Sequence, residues 1–441
     1  MTTLRRFLLL AALSPGVFAC SMLAQTASES PAETSAAAPS DATAAPAEET
    51  PSSTVQEQPA HYVAALDGVG LISLGSDTPS HFLYGANVSG GWDSNPELAD
   101  GAVASGFYTM SPYLALRGNT PKSQYLFQYQ LTATGYNSNY ARETLHTASA
   151  SIIENPTARL NLDLEAIGSY GPDALRFLGA QQTVAVGDVA GTGPSSAAYL
   201  GNLGNATYLT SSLTSNFQVS QRTSLQLQVA DSSSRYSNIQ GNTSIATANL
   251  SLGKSLSPTL GVSAYALNSY YYGSLHCESH GVGVGLRWRP SEKTSLTMSG
   301  GPQFETPECG AQQGFAYNVA LGTSVSGKSQ IYVLAGRQPT TSYLGPGLWQ
   351  DNVSAGYERQ VTRVGAVNFD AGYIHSSSLA TVDSYQGTYF DCIYSYALGH
   401  GLQGVYNYRG YISNSGGTSL SRNVVMFSVD WAPGRARSLV R

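Results

Sequence analysis

The sequence predicts an all-β protein: an antiparallel, up-and-down transmembrane β-barrel of about eighteen strands, with a range of roughly 16–20. Three observations predict this class. Apolar and polar residues alternate in many segments of about ten residues, connections alternate between short and long, and the tryptophans fall at segment ends. Helical periodicity is nowhere sustained, so strands are the regular element that the pattern supports.

One representative segment reads LNLDLEAIGSYG and begins at Leu160. Leu162 and Leu164 project from one face of an extended strand, whereas Asp163 and Glu165 project from the other. The polar faces carry Gln, Asn, Ser, Thr and Gly more than Lys or Glu, and the charged fraction of the chain is only 11%, against roughly 25% in soluble globular proteins. We therefore predict that the apolar face contacts lipid and that the polar face lines the interior.

The connections and the aromatic residues support a membrane barrel with two different ends. Short turns, among them GNTPK, SQRT and RPSEK, alternate with longer loops, as in up-and-down barrels. Tryptophans at strand ends predict an aromatic belt at each membrane interface, formed by Trp92, Trp288, Trp349 and Trp431. Seven basic residues lie in or beside the short turns, namely Lys122, Arg159, Arg222, Lys254, Lys293, Lys328 and Arg363.

The region before the barrel has the features of an export signal and a spacer. Arg5 and Arg6 precede an apolar run that ends in MLA before Gln25, which is typical of a cleaved signal peptide; lipid modification of Cys20 is the alternative. An Ala-, Pro- and Glu-rich stretch follows, with too few large apolar side chains to offset its ordering entropy, so we expect a disordered linker. The predicted divisions are a signal peptide 1–24, a periplasmic linker 25–60, a short plug or extra strand 61–80, the barrel 81–432 and a periplasmic tail 433–441.

The segment YGANVSGGWDSNP (Tyr84–Pro96) resembles the first-strand signature of the β-barrel porin group of Gram-negative bacteria. In that group a Gly-rich amphipathic strand ends in an aromatic residue, an Asp and an Asn. The resemblance implies a bacterial outer-membrane location, contact with outer-membrane lipid, insertion by the barrel assembly machinery, and frequent association with exopolysaccharide or cell-surface export. The chain departs from the usual barrel because Trp431, its final aromatic residue, is followed by APGRARSLVR.

A barrel of this size is wide enough to enclose water, so we expect a porin-like channel or export conduit through which hydrophilic solutes, polysaccharide among them, diffuse passively. The candidate lumen-facing residues are Asp163, Glu165, Arg287, Glu358, Asp370 and Arg409. The longest connection, Gly171–Asn205, resembles by position the loop that narrows general porins, and Asp173, Arg176 and Asp188 are its constriction candidates. The stretch AQQTVAVGDV within it could instead add a hairpin and give twenty strands, and both alternatives stay open.

Two other functions fit the same wall. A plugged barrel could act as an accessory component of a surface export system. An outer-membrane enzyme would need a rim histidine such as His146 or His375 beside a nucleophile, but no local catalytic motif is present, so we predict no enzyme and no cofactor. The net charge of −6 and the lack of a basic stripe exclude nucleic acid as a partner.

The cysteines and one histidine-rich segment complete the candidate sites. Cys277 and Cys309 flank the RPSEK turn almost symmetrically, so antiparallel pairing predicts a disulfide near the outer rim. Cys392 falls on the apolar face and is expected to be an inert small side chain. HCESH could place His276 and His280 on one face with a carboxylate, which are zinc-ligand types, but rim histidines are common and we predict no metal site.

Overall fold

A computed structural model shows an antiparallel barrel whose wall is one sheet of eighteen strands. The structure describes residues 81–96, 101–137, 142–172, 205–237, 242–273, 276–309, 313–342, 345–378, 384–399, 401–415 and 418–432. Within these ranges no helix is both long enough and apolar enough to cross a membrane. The predicted signal peptide, linker, plug segment and tail lie outside the described residues.

The strands are 12–16 residues long, which suits a tilted membrane crossing. Their bounds are β1 His81–Asp93, β2 Ser105–Asn119, β3 Ser123–Tyr136, β4 Glu143–Thr157, β5 Leu160–Pro172, β6 Asn205–Ser220, β7 Thr223–Tyr236, β8 Asn242–Ser255, β9 Leu260–Gly273, β10 Cys277–Ser291, β11 Thr294–Glu305, β12 Gln313–Ser326, β13 Ser329–Ser342, β14 Gly345–Gln360, β15 Gly365–Ser378, β16 Ser384–Gly399, β17 Leu402–Ser415 and β18 Thr418–Trp431.

Each strand pairs with the next one along the chain, and β1 also pairs with β18, so the sheet closes on itself. Closure leaves no strand edge with unpaired backbone groups, which is the condition for a sheet in lipid. Strand β5 pairs directly with β6 along its whole length, so no hairpin is inserted between them and the twenty-strand alternative is excluded. The fold class and the strand number predicted from the sequence are confirmed.

The connections at one end of the barrel are uniformly short, but the longer loops predicted for the other end are found only in part: three residues join β9 to β10, and two residues each join β13 to β14 and β17 to β18. Turns of two to four residues join β2 to β3, β4 to β5 and every later even-numbered strand to the next. We call this the short-turn end, and the opposite end the long-loop end. A short 3-10 turn, Pro307–Cys309, lies at the long-loop end after β11.

The two faces of the wall are opposite in character. Leu164 is 43% exposed on the outside, whereas its neighbour Asp163 is 6% exposed on the inside. The same alternation runs along β1, where Val88 and Trp92 are exposed while Ser89 and Asp93 are buried. The apolar face is therefore the outer one, which is the inverse of a soluble protein.

Candidate functional site

The inner wall of the barrel is polar and closely packed. Its buried polar side chains include Gln128, Gln130 and Gln303, which are 2–6% exposed although glutamine is long. Gln303 donates from Nε2 to Ser279 Oγ at 2.8 Å, and Ser111 donates to Thr132 at 3.1 Å. The Nε2 atoms of Gln128 and Gln130 are buried and have no hydrogen-bond partner among the described residues, so the inner face is buried but only partly hydrogen-bonded.

All six candidate lumen residues lie on this inner face. Asp163, Asp370 and Arg409 are buried, at 5–9% exposure. Glu165, Arg287 and Glu358 are intermediate. Among these six, the structure brings Asp370 and Arg409 into one cluster, and Asp391, which the sequence analysis did not select, joins them.

Five residues on neighbouring strands form one row across the inner wall, the β13–β17 row. Register pairs Tyr332 with Gly356, Gly356 with Asp370, Asp370 with Asp391, and Asp391 with Arg409. Because β-pairing places such partners side by side on one face, the row juxtaposes two carboxylates, a guanidinium and a phenol. A Cβ atom at Gly356 would lie 2.1 Å from the Tyr332 ring, so glycine makes room for that ring.

In the β13–β17 row, the side-chain hydrogen bonds among the described residues reach only one oxygen, Oδ2, of each aspartate. Arg409 donates to Asp391 Oδ2 from Nε at 3.2 Å and from Nη2 at 2.9 Å. The Tyr332 hydroxyl donates to Asp370 Oδ2, and Tyr389 also donates to Asp370. The second oxygen of each carboxylate, Oδ1, is buried and accepts no hydrogen bond from the described residues.

A second buried ion pair joins the first strand to the last. Arg422 on β18 donates to Asp93 on β1 from Nε to Oδ1 at 3.0 Å and from Nη2 to Oδ2 at 2.6 Å. Neither side chain has any exposed surface. Asn95 Nδ2 donates to the Ser421 carbonyl at 3.2 Å, and Asn423 N donates to Ser94 Oγ at 2.7 Å. The WDSNP segment therefore closes the barrel at the long-loop end.

An apolar cluster on the inner face was not predicted from the sequence. It contains Phe107, Leu145, Ile374, Tyr411, Val424 and Met426, with Tyr136 and Tyr389 packed against it. Its signal in the sequence was the run VVMF in β18, where Val424 and Met426 are apolar at inner positions that polar residues occupy elsewhere. Hydrophobic constrictions can exclude water from a pore, and this cluster makes one part of the inner wall apolar.

Strands β10 and β11 approach each other closely at a site that we call the glycine crease: Gly281, Gly283, Gly285 and Gly301. A Cβ atom at Gly301 would lie 1.9 Å from the carbonyl oxygen of Val282. Glycine in a strand permits such close backbone approach and curvature. Cα atoms of the unpaired strands β8 and β13 come within 8 Å of each other, so the lumen is narrow beside the crease.

The predicted disulfide is present and braces the strands of the crease. Cys277 and Cys309 are bonded, with a Cα–Cα distance of 5.4 Å. Thr306 N donates to the Glu278 carbonyl at 2.9 Å, which ties the 3-10 turn to β10. The exposed Glu308 receives hydrogen bonds from its own backbone amide and from the Thr306 side chain, and these lower the pKa of its carboxyl group. Cys392 is buried and forms no disulfide.

The histidines make local contacts. Glu278 and His280 are both exposed, with a carboxylate-to-Nε2 distance of 3.4 Å. The described residues contain no group of three or more His, Cys, Asp or Glu that could hold a metal ion. His146 Nδ1 bonds the Tyr129 hydroxyl at 2.8 Å, and His375 Nδ1 is buried with no partner among the described residues.

The four tryptophans differ in exposure. Trp92, Trp288 and Trp431 are 42–46% exposed at strand ends on the outer face. The expectation of a lipid-exposed ring is wrong for Trp349, which is 3% exposed. Arg337 lies over its ring at 5.3 Å from the centroid, and a Cβ atom at Gly314 would lie 2.3 Å from the ring. Because Gly314 has no side chain, the Trp349 indole packs against its backbone on one side, while the Arg337 guanidinium covers the ring.

The three constriction candidates, Asp173, Arg176 and Asp188, lie outside the described residues. Their strands, β5 and β6, end at Pro172 and begin at Asn205 at the long-loop end. The role of this connection therefore stays a prediction.

No protein-family model matches the chain, and no curated protein matches its sequence. Among solved structures, it is similar to OccAB4 of Acinetobacter baumannii at 11% identity and a TM-score of 0.40, covering 81% of this chain and 99% of that one. It is similar to OpdQ of Pseudomonas aeruginosa at 11% identity and a TM-score of 0.41, covering 80% and 98%. A ferric enterobactin receptor (PfeA) mutant of Pseudomonas aeruginosa matches at 9% identity and a TM-score of 0.42, covering 81% of each chain.

Proposed function

We propose that this chain is a pore of the bacterial outer membrane through which small hydrophilic solutes diffuse passively. The observation that carries the proposal is the closed wall with an apolar outer face and a polar inner face. A closed barrel satisfies its backbone hydrogen bonds internally, and an exposed apolar surface of this extent is stable in lipid but not in water.

The sidedness follows from the same architecture. In outer-membrane barrels the short turns are periplasmic and the longer loops are extracellular. Both the start of β1 and the end of β18 lie at the short-turn end, so segments 1–80 and 433–441 would be periplasmic where they are retained. Insertion would then depend on the barrel assembly machinery, with VMFSVDW at the end of the chain's last strand as the internal signal.

The inner wall favours small solutes over a polymer. The approach of β8 to β13 and the apolar cluster both reduce the space available inside the wall. A polysaccharide conduit needs a continuous wide path, whereas a small solute needs only a narrow polar one.

A second candidate is a plugged barrel that acts as an accessory component of a surface export system. The near-complete burial of Gln128, Gln130 and Gln303 favours it, because long polar side chains that face open water are normally exposed. The two candidates share the wall and differ in whether the lumen conducts.

Single-channel recording separates them. The full chain is refolded in detergent, its folding is checked by the difference in electrophoretic mobility before and after heating, and it is inserted into a planar bilayer. We expect stable ohmic steps, and larger steps after deletion of residues 173–204 if that connection narrows the pore. If neither the full chain nor the deletion variant conducts although both are correctly folded, the pore is overturned and the plugged barrel remains.

A further inference from the structure

We propose that the β13–β17 row binds organic cations that carry N–H donors, that is, alkylammonium or guanidinium groups. The inference rests on the proposed pore and deepens it by naming the class of solute that the inner wall recognises. Four features support it: the charge balance of the row, its unused acceptor oxygens, a nearby buried amide whose oxygen accepts no hydrogen bond, and its aromatic side chains.

The charge balance of the row is negative. Arg409 pairs with Asp391 at 2.9 Å, whereas Asp370 receives only tyrosine hydroxyls. Glu358 lies on the same inner face, where Gln330 donates to it at 2.5 Å. Three carboxyl groups and one guanidinium give this part of the wall more acidic than basic groups. A negatively charged wall attracts cations and repels anions.

In the β13–β17 row, the buried side-chain atoms that lack a hydrogen-bond partner are carboxylate oxygens, which are acceptors. Asp370 Oδ1 and Asp391 Oδ1 are both buried and accept no hydrogen bond from the described residues. Since Arg409 and the tyrosines occupy the other carboxylate oxygen in each case, these two oxygens are the acceptors of the row that lack a donor. A carboxylate accepts charge-assisted hydrogen bonds from a cationic N–H donor, which are stronger than bonds from a neutral group.

A buried amide supplies an independent indication of a ligand. Asn407 is 5% exposed, lies two residues before Arg409 on the same face of β17, and its side-chain Oδ1 is buried and accepts no hydrogen bond from the described residues. A buried polar side chain without a partner is costly, so native structures normally pair it. A solute seated in the row would supply that partner.

The aromatic side chains favour the same ligand class. Tyr332 and Tyr389 are held beside the carboxylates by their hydroxyl bonds to Asp370. Phenol rings next to carboxylates add cation–π attraction for a guanidinium or ammonium group. An anion would meet net negative charge here, and a neutral polyol would leave that charge uncompensated.

Two measurements test the proposal on the folded full-length chain. The first is calorimetric titration of the detergent-solubilised barrel with methylguanidinium, and with tetramethylammonium as a cation of equal charge that lacks N–H donors. The second is the cation-to-chloride permeability ratio from reversal potentials in a planar bilayer. The test variant is Asp370→Asn, and the matched control is Glu278→Gln, which removes one carboxylate from the exposed outer rim, where its side chain is 48% exposed.

We expect saturable binding of methylguanidinium by the native chain and by Glu278→Gln, weaker binding of tetramethylammonium, and loss of methylguanidinium binding in Asp370→Asn. The permeability ratio should fall about threefold in Asp370→Asn, the Coulomb effect of one charge about 6 Å from an ion in water. If Asp370→Asn does not fold, Glu358→Gln replaces it as the test variant. The permeability ratio should then fall by up to about threefold, because the removed charge lies at a similar or greater distance from the ion.

The outcomes decide the site and the pore separately. Binding without conductance would overturn the pore and keep the site. Conductance with no saturable binding, with equal binding of the two cations, or with binding unchanged in Asp370→Asn would overturn the site and keep the pore. Absence of both binding and conductance would overturn both.

Discussion

Removal of the Arg422 guanidinium tests whether one buried ion pair holds the first strand against the last. The β1–β18 ladder runs only from Ala86–Trp431 to Asp93–Val424, whereas β17–β18 is paired from Leu402–Trp431 to Ser415–Thr418. The ion pair lies at the far end of that shorter ladder and is fully buried. Arg422→Ala leaves the Asp93 carboxylate buried without its partner, so we expect a loss of about 3–5 kcal/mol in the free energy of unfolding.

The assay is urea unfolding in detergent, followed by tryptophan fluorescence, together with hydrogen exchange of the strand amides. Exchange should accelerate first at Ser94 and along β1 and β18, because the seam opens before the rest of the wall. Removing both charges, with Asp93→Leu and Arg422→Met, should recover most of the loss, since no charge is then left unpaired.

The matched control is Asp351→Asn. Its partner Arg337 lies 3.8 Å away, with side chains 43% and 32% exposed for Arg337 and Asp351, so the expected loss is at most about 1 kcal/mol. An ion pair that holds the β1–β18 seam would be ruled out if Arg422→Ala lost no more free energy of unfolding than this control. It would also be ruled out if hydrogen exchange accelerated as much in β5 to β8 as in β1 and β18.

Two further predictions concern the outer face and the glycine crease. Val284 is 68% exposed near the middle of β10, and Val325 is 59% exposed next to the end of β12. In lipid, Val284→Arg should lower the free energy of unfolding by about 2–4 kcal/mol, because it places a charge near the middle of the bilayer. Val325→Arg, which lies near the interface, should lower it by only about 0–1 kcal/mol. Equal costs in urea unfolding from lipid vesicles would contradict a bilayer around this face. Gly301→Ala should cost about 1–3 kcal/mol because its Cβ overlaps backbone, whereas at Gly168 the nearest heavy atom to a Cβ would be 3.7 Å away. Gly168→Ala in the same assay is the control. If Gly301→Ala lowered the free energy of unfolding less than Gly168→Ala, the backbone at the crease would have to move apart to accommodate the new Cβ atom.

The strand pattern and the disulfide were accessible from the sequence because both depend on short-range geometry. Side chains alternate between faces in every strand, so the outward orientation of Leu164 and the inward orientation of Asp163 follow from residue order and the composition of the two faces. Antiparallel pairing around a short turn likewise places Cys277 and Cys309 at equal distances from the turn, and they are bonded.

The composition of the candidate site was only partly accessible. Asp370 and Arg409 were selected as inner-wall charges, but Asp391 between them was not, because its role depends on the register of three strands. Trp349 was assigned to the membrane belt from its position at a strand end. Its burial depends on Arg337 and on the absent side chain of Gly314, which lie on other strands.

The sequence by itself determined the all-β class, a strand number of about eighteen, the short turns at one end, and the face that meets lipid, because each of these is encoded in local periodicity and turn composition. Only the tertiary structure decided which residues meet across distant strands: the Asp93–Arg422 closure, the β13–β17 row and the inner apolar cluster. The physical reason is that barrel closure and register are cooperative and long-range. They bring together residues such as Asp93 and Arg422, which are 329 positions apart in the chain.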